Sequence, residues 1–120
     1  IRAAAHLAAD EPLHAAMYNC TDTAHDYLIG HYLPDQSAAN DDFGSFTRLT
    51  VPASVWAVFP TAELSMADAA QQAAVMWKRI FTEWFATSGY ELTGAPELEL
   101  HHKCGNGNYV TEIWIPVKTL

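Results

Sequence analysis

The strongest constraint on the fold is a stretch of apolar residues at helical spacing that begins after Ser65. Ser65 with Asp68 three residues later resembles a capping box, and Ser88-Gly89 favours a helix end because glycine accepts the left-handed conformation. Between these signals apolar residues recur every three or four positions, the period of a helix with one buried face. They are Met66, Ala69, Ala73, Met76, Trp77, Ile80, Phe81, Trp84 and Phe85. The pattern predicts one long amphipathic helix. Five of its aromatic and apolar residues are expected to belong to the core: Trp77, Ile80, Phe81, Trp84 and Phe85.

Strand patterns lie on both sides of this helix. Short runs rich in β-branched and aromatic residues, bounded by turn residues, predict five strands. Their ranges are 13–20, 26–33, 54–59, 98–103 and 109–118. The first two strands are separated by the polar turn Thr21-Asp22-Thr23, and the last two by an Asn106-Gly107 pair, which is a strong hairpin signal.

The order of elements predicts the architecture. Residues 2–10 are alanine-rich and have the character of a helix end, which Pro12 terminates, and residues 36–45 form a polar loop without periodicity. With one more strand ahead of residue 2, the chain would contain a strand-helix-strand-strand unit twice. We therefore expect an α+β fold of two similar halves, with an antiparallel sheet covered by helices on one face and with the first strand missing.

Composition limits the classes of partner. The 120 residues predict a single domain, 1–120, that is incomplete at its N-terminus. Fourteen acidic residues against six basic ones give a net charge of −8, which opposes binding to nucleic acid and to anionic lipid and favours cationic partners. There is no apolar run long enough for a membrane span, so we expect a cytoplasmic protein. We also expect no cofactor.

The last predicted strand places an acid beside a tryptophan. Strand alternation puts Glu112 and Trp114 on the face opposite to Thr111 and Ile113, which would lie under a helix. In the 54–59 strand the same alternation puts the following two residues on the acidic face: Trp56 and Val58. By analogy between the hairpins, the corresponding places in the first half would be taken by Tyr27 and Ile29. Tyr27, Trp56, Glu112 and Trp114 are thus expected to converge.

Such a group of side chains is suited to a hydrophobic or aromatic cation. Ring faces attract positive charge, and a partly dehydrated carboxylate lacks a partner until a cation arrives. The simpler interpretation is a solvated strand in which Glu112 pairs with a lysine or arginine and the two tryptophans belong to the core. Spacing alone leaves both interpretations open.

Three stretches resemble a known family, the GyrI-like small-molecule-binding domains, also called AraC-type effector-binding domains. These stretches are VPASVWAVFP, WKRIFTEWFATSGYELTGAPELELHH and YVTEIWIPVK, and the segment DYLIG is similar to the family's aromatic-x-x-Gly strand. The resemblance implies a ligand cleft between two duplicated halves and a pocket glutamate on the last strand, here Glu112. It also implies a small-molecule sensor in transcription regulation.

One position departs from the family pattern. Where many members carry a tyrosine two residues after the glutamate of their P-x-x-E-x-Y motif, this chain has His101, which we include as a candidate pocket residue. No helix-turn-helix precedes the domain, so direct contact with nucleic acid is not expected from this chain. Some GyrI-like proteins hydrolyse cyclopropane-bearing compounds, and in that alternative the acid-base pair would be Glu112 with Tyr27.

Two further possibilities have weaker support. A metal site could be assembled from the cysteines and several histidines, but adjacent strand residues point to opposite faces and the chain has no C-x-x-C spacing, so no metal is expected. The residues in question are His14, Cys20, His25, His101, His102 and Cys104. Alternatively, the aromatic face could bind a peptide or a second copy of the chain as a homodimer.

Overall fold

A computed structural model of the protein describes residues 12–21, 23–31 and 49–120. Six strands and three consecutive helical segments make up this part of the chain. The strands are β1 (Leu13–Tyr18), β2 (Asp26–Gly30), β3 (Val55–Pro60), β4 (Tyr90–Leu92), β5 (Glu97–Lys103) and β6 (Tyr109–Thr119). The helical segments are α1 (Met66–Arg79), a π-helical segment (Ile80–Trp84) and α2 (Phe85–Ser88). The helix end predicted at 2–10 and the loop predicted at 36–45 lie outside the described residues.

The six strands form one antiparallel sheet, which confirms the predicted α+β class. The order across the sheet is β2-β1-β5-β6-β3, and β4 pairs with the end of β6. The two hairpins, β1–β2 and β5–β6, meet through the pairing of β1 with β5. This side-by-side arrangement is the one expected from two similar halves. The short strand β4 was not predicted.

Local chemistry at both ends of the helix agrees with the prediction. The Ser65 hydroxyl accepts a hydrogen bond of 3.2 Å from the backbone N–H of Asp68, and Gly89 ends the helical stretch with φ of +78°. The interior differs, because the Phe85 N–H donates to the carbonyl of Ile80, five residues back. Such a π turn takes up one extra residue, so the stripe does not continue as one uniform α-helix.

The core lies between the helix and β6. Ile113, Ile115 and Val117 are at most 4% exposed and pack with Ala73 and Ile80 of the helical segments. This confirms the predicted buried face of β6. The apolar stripe is only partly buried, however. Phe81 is 44% exposed, so the prediction that it belongs to the core is wrong for this residue.

Candidate functional site

The pairing register assigns each strand side chain to one of two faces of the sheet, because directly opposite residues point the same way. The helix face is the one that carries Ile113 and is covered by α1. Across the sheet, Ile113 lies opposite Glu99, Glu99 opposite Ala15, and Ala15 opposite Ile29, so all four belong to the helix face. The far face is the other one and carries Glu112. Each face has its own acidic and aromatic cluster.

The far face brings together four of the predicted residues. Trp56 lies opposite Pro116 and Val58 opposite Trp114, so both share a face with Glu112 and Trp114. The rings of Trp56 and Trp114 meet edge to face, with centroids 5.7 Å apart and planes at 63°. Alternation along β3 and β6 therefore predicted this cluster correctly as a set of neighbours.

The carboxylate of the far face already has two donors. Glu112 Oε1 lies 2.7 Å from His102 Nε2 and accepts a longer hydrogen bond, 3.3 Å, from Trp114 Nε1. The Glu112 side chain is 27% exposed and that of His102 is 39% exposed. The acid is thus neither fully hydrated nor paired with lysine, and an incoming cation would compete with an imidazole. Sequence analysis missed this role of His102, although alternation along β5 places His102 on the same face as Leu100, the residue directly opposite Glu112.

The other three predicted residues lie on the helix face. Tyr27 is opposite Met17 and Ile29 is opposite Ala15, while His101 is opposite Thr111. The expected convergence of Tyr27 with Glu112 is therefore wrong, as is the grouping of Ile29 and His101 with Glu112. The cause is a shift of one residue in the assumed correspondence between hairpins, since the side-chain period of a strand is two. Glu112 and Tyr27, the acid-base pair of the hydrolytic alternative, therefore lie on opposite faces and are separated by the thickness of the sheet.

A second acid lies at the centre of the helix face. Glu99 Oε2 accepts a hydrogen bond of 2.9 Å from Trp77 Nε1 of α1. The Trp77 ring stacks on Phe81 with planes 10° apart and centroids separated by 6.2 Å. Among the ion pairs of the described residues, none includes Glu99. Within the part of the chain that the structure describes, its carboxylate is therefore hydrogen-bonded by an indole N–H and is not paired with a cationic side chain.

Tyr27 adds a half-exposed ring to the same region. It is 52% exposed, and burial of the phenol together with the charge of Glu99 raises the pKa of Tyr27 above its ordinary value. A raised pKa keeps the phenol protonated at neutral pH, so it remains a hydrogen-bond donor. Glu97, which has the same strand parity as Glu99, also has a raised pKa, mainly because of burial. The helix face thus carries two carboxylates on one strand, and that of Glu97 is partly buried.

His101 is held at the edge of this region by a buried hydroxyl. Its Nδ1 lies 3.0 Å from the Oγ1 of Thr111, which is only 2% exposed. His101 and Glu99 are two residues apart on one strand face, which separates their Cα atoms by about 7 Å. The helix face therefore presents an acid, a histidine and three aromatic rings, and the sequence analysis had recognised neither Glu99 nor its bond to Trp77.

Apart from these two clusters, the described residues form one further groove. A shallow groove of about 370 Å³ runs along the other flank of the helix, where Phe59, Ile80 and Trp84 line it. In the part of the chain that the structure describes, no group of three or more His, Cys, Asp or Glu side chains could hold a metal ion. Within the same residues, the helices are all too short or too polar to cross a membrane.

Comparison with known families gives the class of this protein, an effector-binding domain. The family model of Cass2, integron-associated effector binding protein, matches residues 3–117. The chain belongs to this family, whose description supports a domain that binds a small molecule. Searches of curated proteins and of solved structures give no significant match.

Proposed function

We propose that this domain binds a small hydrophobic cation on the helix face, with Glu99 as the charge partner. The observation that carries the proposal is the state of the Glu99 carboxylate, whose hydrogen-bond partner among the described residues is the Trp77 indole. An indole N–H stabilises the carboxylate but leaves its charge in place. A ligand cation could supply the missing positive charge, and the ring of Tyr27 could pack against its apolar part.

The expected energies are sufficient for useful affinity. A pair of unit charges about 4 Å apart, at an effective dielectric constant of about 20, gains roughly 4 kcal/mol before desolvation is subtracted. A cation over an aromatic face adds about 0.5 to 2 kcal/mol. Burial of the ligand's apolar surface adds to these terms, and micromolar binding requires a total of about −8 kcal/mol.

The far face is the alternative location. A cluster there consists of Glu112, Trp114, Trp56 and Val58, but the Glu112 carboxylate already has a hydrogen bond with His102. A ligand at this site would have to displace that imidazole or share Oε1 with two donors. For this reason we assign the cation to Glu99 and keep Glu112 as the competing hypothesis.

In this proposal the domain is the sensor part of a transcription-regulator system. The net charge of −8 opposes direct contact with DNA, so the response to the ligand would be passed to another segment or another protein. The chemistry favoured by the helix face is binding: it offers a carboxylate and aromatic rings for a cation.

The test is a titration with rhodamine 6G, followed by isothermal titration calorimetry and by tryptophan emission. Replacing Glu99→Gln is expected to weaken binding about 10- to 100-fold, which corresponds to about 1.4 to 2.7 kcal/mol. Glu112→Gln should leave the affinity within about twofold, because the far face does not hold the dye.

A matched control separates a local charge from the overall charge of the chain. Glu97→Gln removes the same unit charge from the same strand and face, two residues from Glu99. We expect it to weaken binding by less than about threefold, since a carboxylate that does not contact the ligand acts on it only through a longer-range attraction, which salt screens. Equal losses in all three variants would mean non-specific attraction to an acidic surface, and a loss confined to Glu112→Gln would move the site to the far face.

A further inference from the structure

The hydrogen bond between His101 and Thr111 defines which imidazole nitrogen carries the proton. The Thr111 hydroxyl is buried, and within the described chain its hydrogen-bond partner is His101 Nδ1, at 3.0 Å. The Thr61 hydroxyl donates to the carbonyl of Ala62 and accepts the N–H of Thr111, but among the described residues no hydrogen bond joins it to the Thr111 hydroxyl. A buried hydroxyl without an acceptor costs about 1 to 3 kcal/mol. Thr111 therefore donates, and Nδ1 is the acceptor.

It follows that a neutral His101 carries its proton on Nε2. The two ring nitrogens point in nearly opposite directions, so the Nε2–H points away from Thr111 and β6. None of the hydrogen bonds among the described residues involves this nitrogen. A donor is thus available on the strand that also carries Glu99, about 7 Å along its helix face.

We propose that His101 determines specificity by donating its Nε2–H to an oxygen acceptor of the ligand. This inference rests on the proposed function, because it supposes that the cationic group lies at Glu99. The ligand class is an amphipathic cation whose carbonyl or similar oxygen is separated from its positive charge by a short apolar linker, since Glu99 and His101 are neighbours on one strand face with Cα atoms about 7 Å apart. Cations of the same shape without the oxygen leave the imidazole donor unpaired in the complex and bind more weakly.

Two matched probes test the inference by calorimetry. The first is a phenyl ketone joined through four methylene groups to trimethylammonium, and the second is its analogue with the carbonyl replaced by methylene. The parent protein is expected to prefer the ketone by about three- to tenfold, the gain of one net hydrogen bond. Equal affinity for the two probes overturns the inference but leaves the proposed function standing, whereas binding of neither probe overturns both.

The decisive variant replaces both members of the pair. His101→Phe with Thr111→Val removes the imidazole and the buried hydroxyl together, so no orphaned donor remains and the shapes are similar. This double variant should bind the methylene probe at least as tightly as the parent does, because no donor is left unpaired, and should lose the preference for the ketone. The single variant His101→Gln, which keeps an N–H donor, should retain part of that preference. A preference that persists in the double variant would assign the donor to another residue.

Discussion

Each face of the sheet has a glutamate beside a tryptophan, but the two carboxylates differ in their hydrogen-bond partners. Each has a glutamate that accepts a hydrogen bond from an indole: Glu99 from Trp77 on the helix face, and Glu112 from Trp114 on the far face. Only Glu112 also contacts an imidazole, that of His102, among the described residues. The comparison teaches that an acid beside a tryptophan does not by itself define a cation site, because the remaining partner of the carboxylate decides whether a ligand is needed.

The clusters also differ in how they are assembled. His102, Glu112 and Trp114 all belong to the β5–β6 hairpin, so both hydrogen bonds of the far-face carboxylate lie within that hairpin, and β3 adds only the side chains that pack beside it. The Glu99 cluster requires α1 to dock, because Trp77 lies on the helix, and it reaches across two more strands to Tyr27. A site built from several elements depends more strongly on the packing between them.

The largest expected effect concerns a core residue of the helix face, compared with a partly exposed residue of the far face. Ile113→Ala on the helix face should lower the free energy of unfolding by about 2 to 5 kcal/mol, because it leaves a cavity at a fully buried position. Val58 on the far face is 39% exposed. Val58→Ala should therefore cost less than about 1 kcal/mol. Urea denaturation measures both, and similar costs for the two substitutions would mean that the far face is as tightly packed as the core.

A smaller effect concerns the two hydrogen bonds from an indole N–H to a carboxylate, Trp77 to Glu99 and Trp114 to Glu112. Double-mutant cycles isolate each coupling from the loss of ring volume, using Trp77→Phe with Glu99→Gln and Trp114→Phe with Glu112→Gln. The first pair should couple by about 1 to 2 kcal/mol, as expected for a hydrogen bond to a charged group in a partly buried place. The second should couple by less than about 0.5 kcal/mol, because its bond is longer and Oε1 is shared with His102. A stronger coupling on the far face would reverse the comparison.

The smallest effect is the pH dependence from Glu97. Burial raises the pKa of Glu97 in the folded protein, partly offset by the charge of His25. The folded state then holds the proton more tightly than the unfolded chain, so this group's contribution to stability falls as the pH rises from its unfolded pKa through the raised folded value. Glu97→Gln should therefore be more stable than the parent at pH 7, by less than about 1 kcal/mol, and lose this advantage near pH 4.

The control for this pH effect is Glu91→Gln. Glu91 is exposed and forms a long ion pair of 3.7 Å with Lys118. Because exposed ion pairs contribute little, this replacement should change stability by about 0.5 kcal/mol or less. Thermal unfolding at the two pH values gives the comparison. If the stability of Glu97→Gln relative to the parent does not increase between pH 4 and pH 7, the Glu97 carboxylate is better hydrated than its burial indicates.

Much of the fold was predictable because its signals are local. Ser65 and Gly89 mark the ends of the helical stretch through their own capping chemistry. Alternation along β6 and β3 was enough to place Trp56 beside Trp114, because both strands follow a regular period of two. The π-helical segment was not predictable from the stripe, since apolar residues at three- and four-residue spacing are compatible with an α-helix throughout.

The candidate site was only partly predictable. Local sequence patterns were enough to predict which residues alternate within each strand and where the long helix begins and ends, and composition showed that carboxylates outnumber cationic side chains. Tertiary structure alone decided the face on which Tyr27 lies, the pairing of His102 with Glu112, and the bond from Trp77 to Glu99. The physical reason is that each of these depends on the register or docking of separate elements, and a shift of one residue moves a side chain to the opposite face.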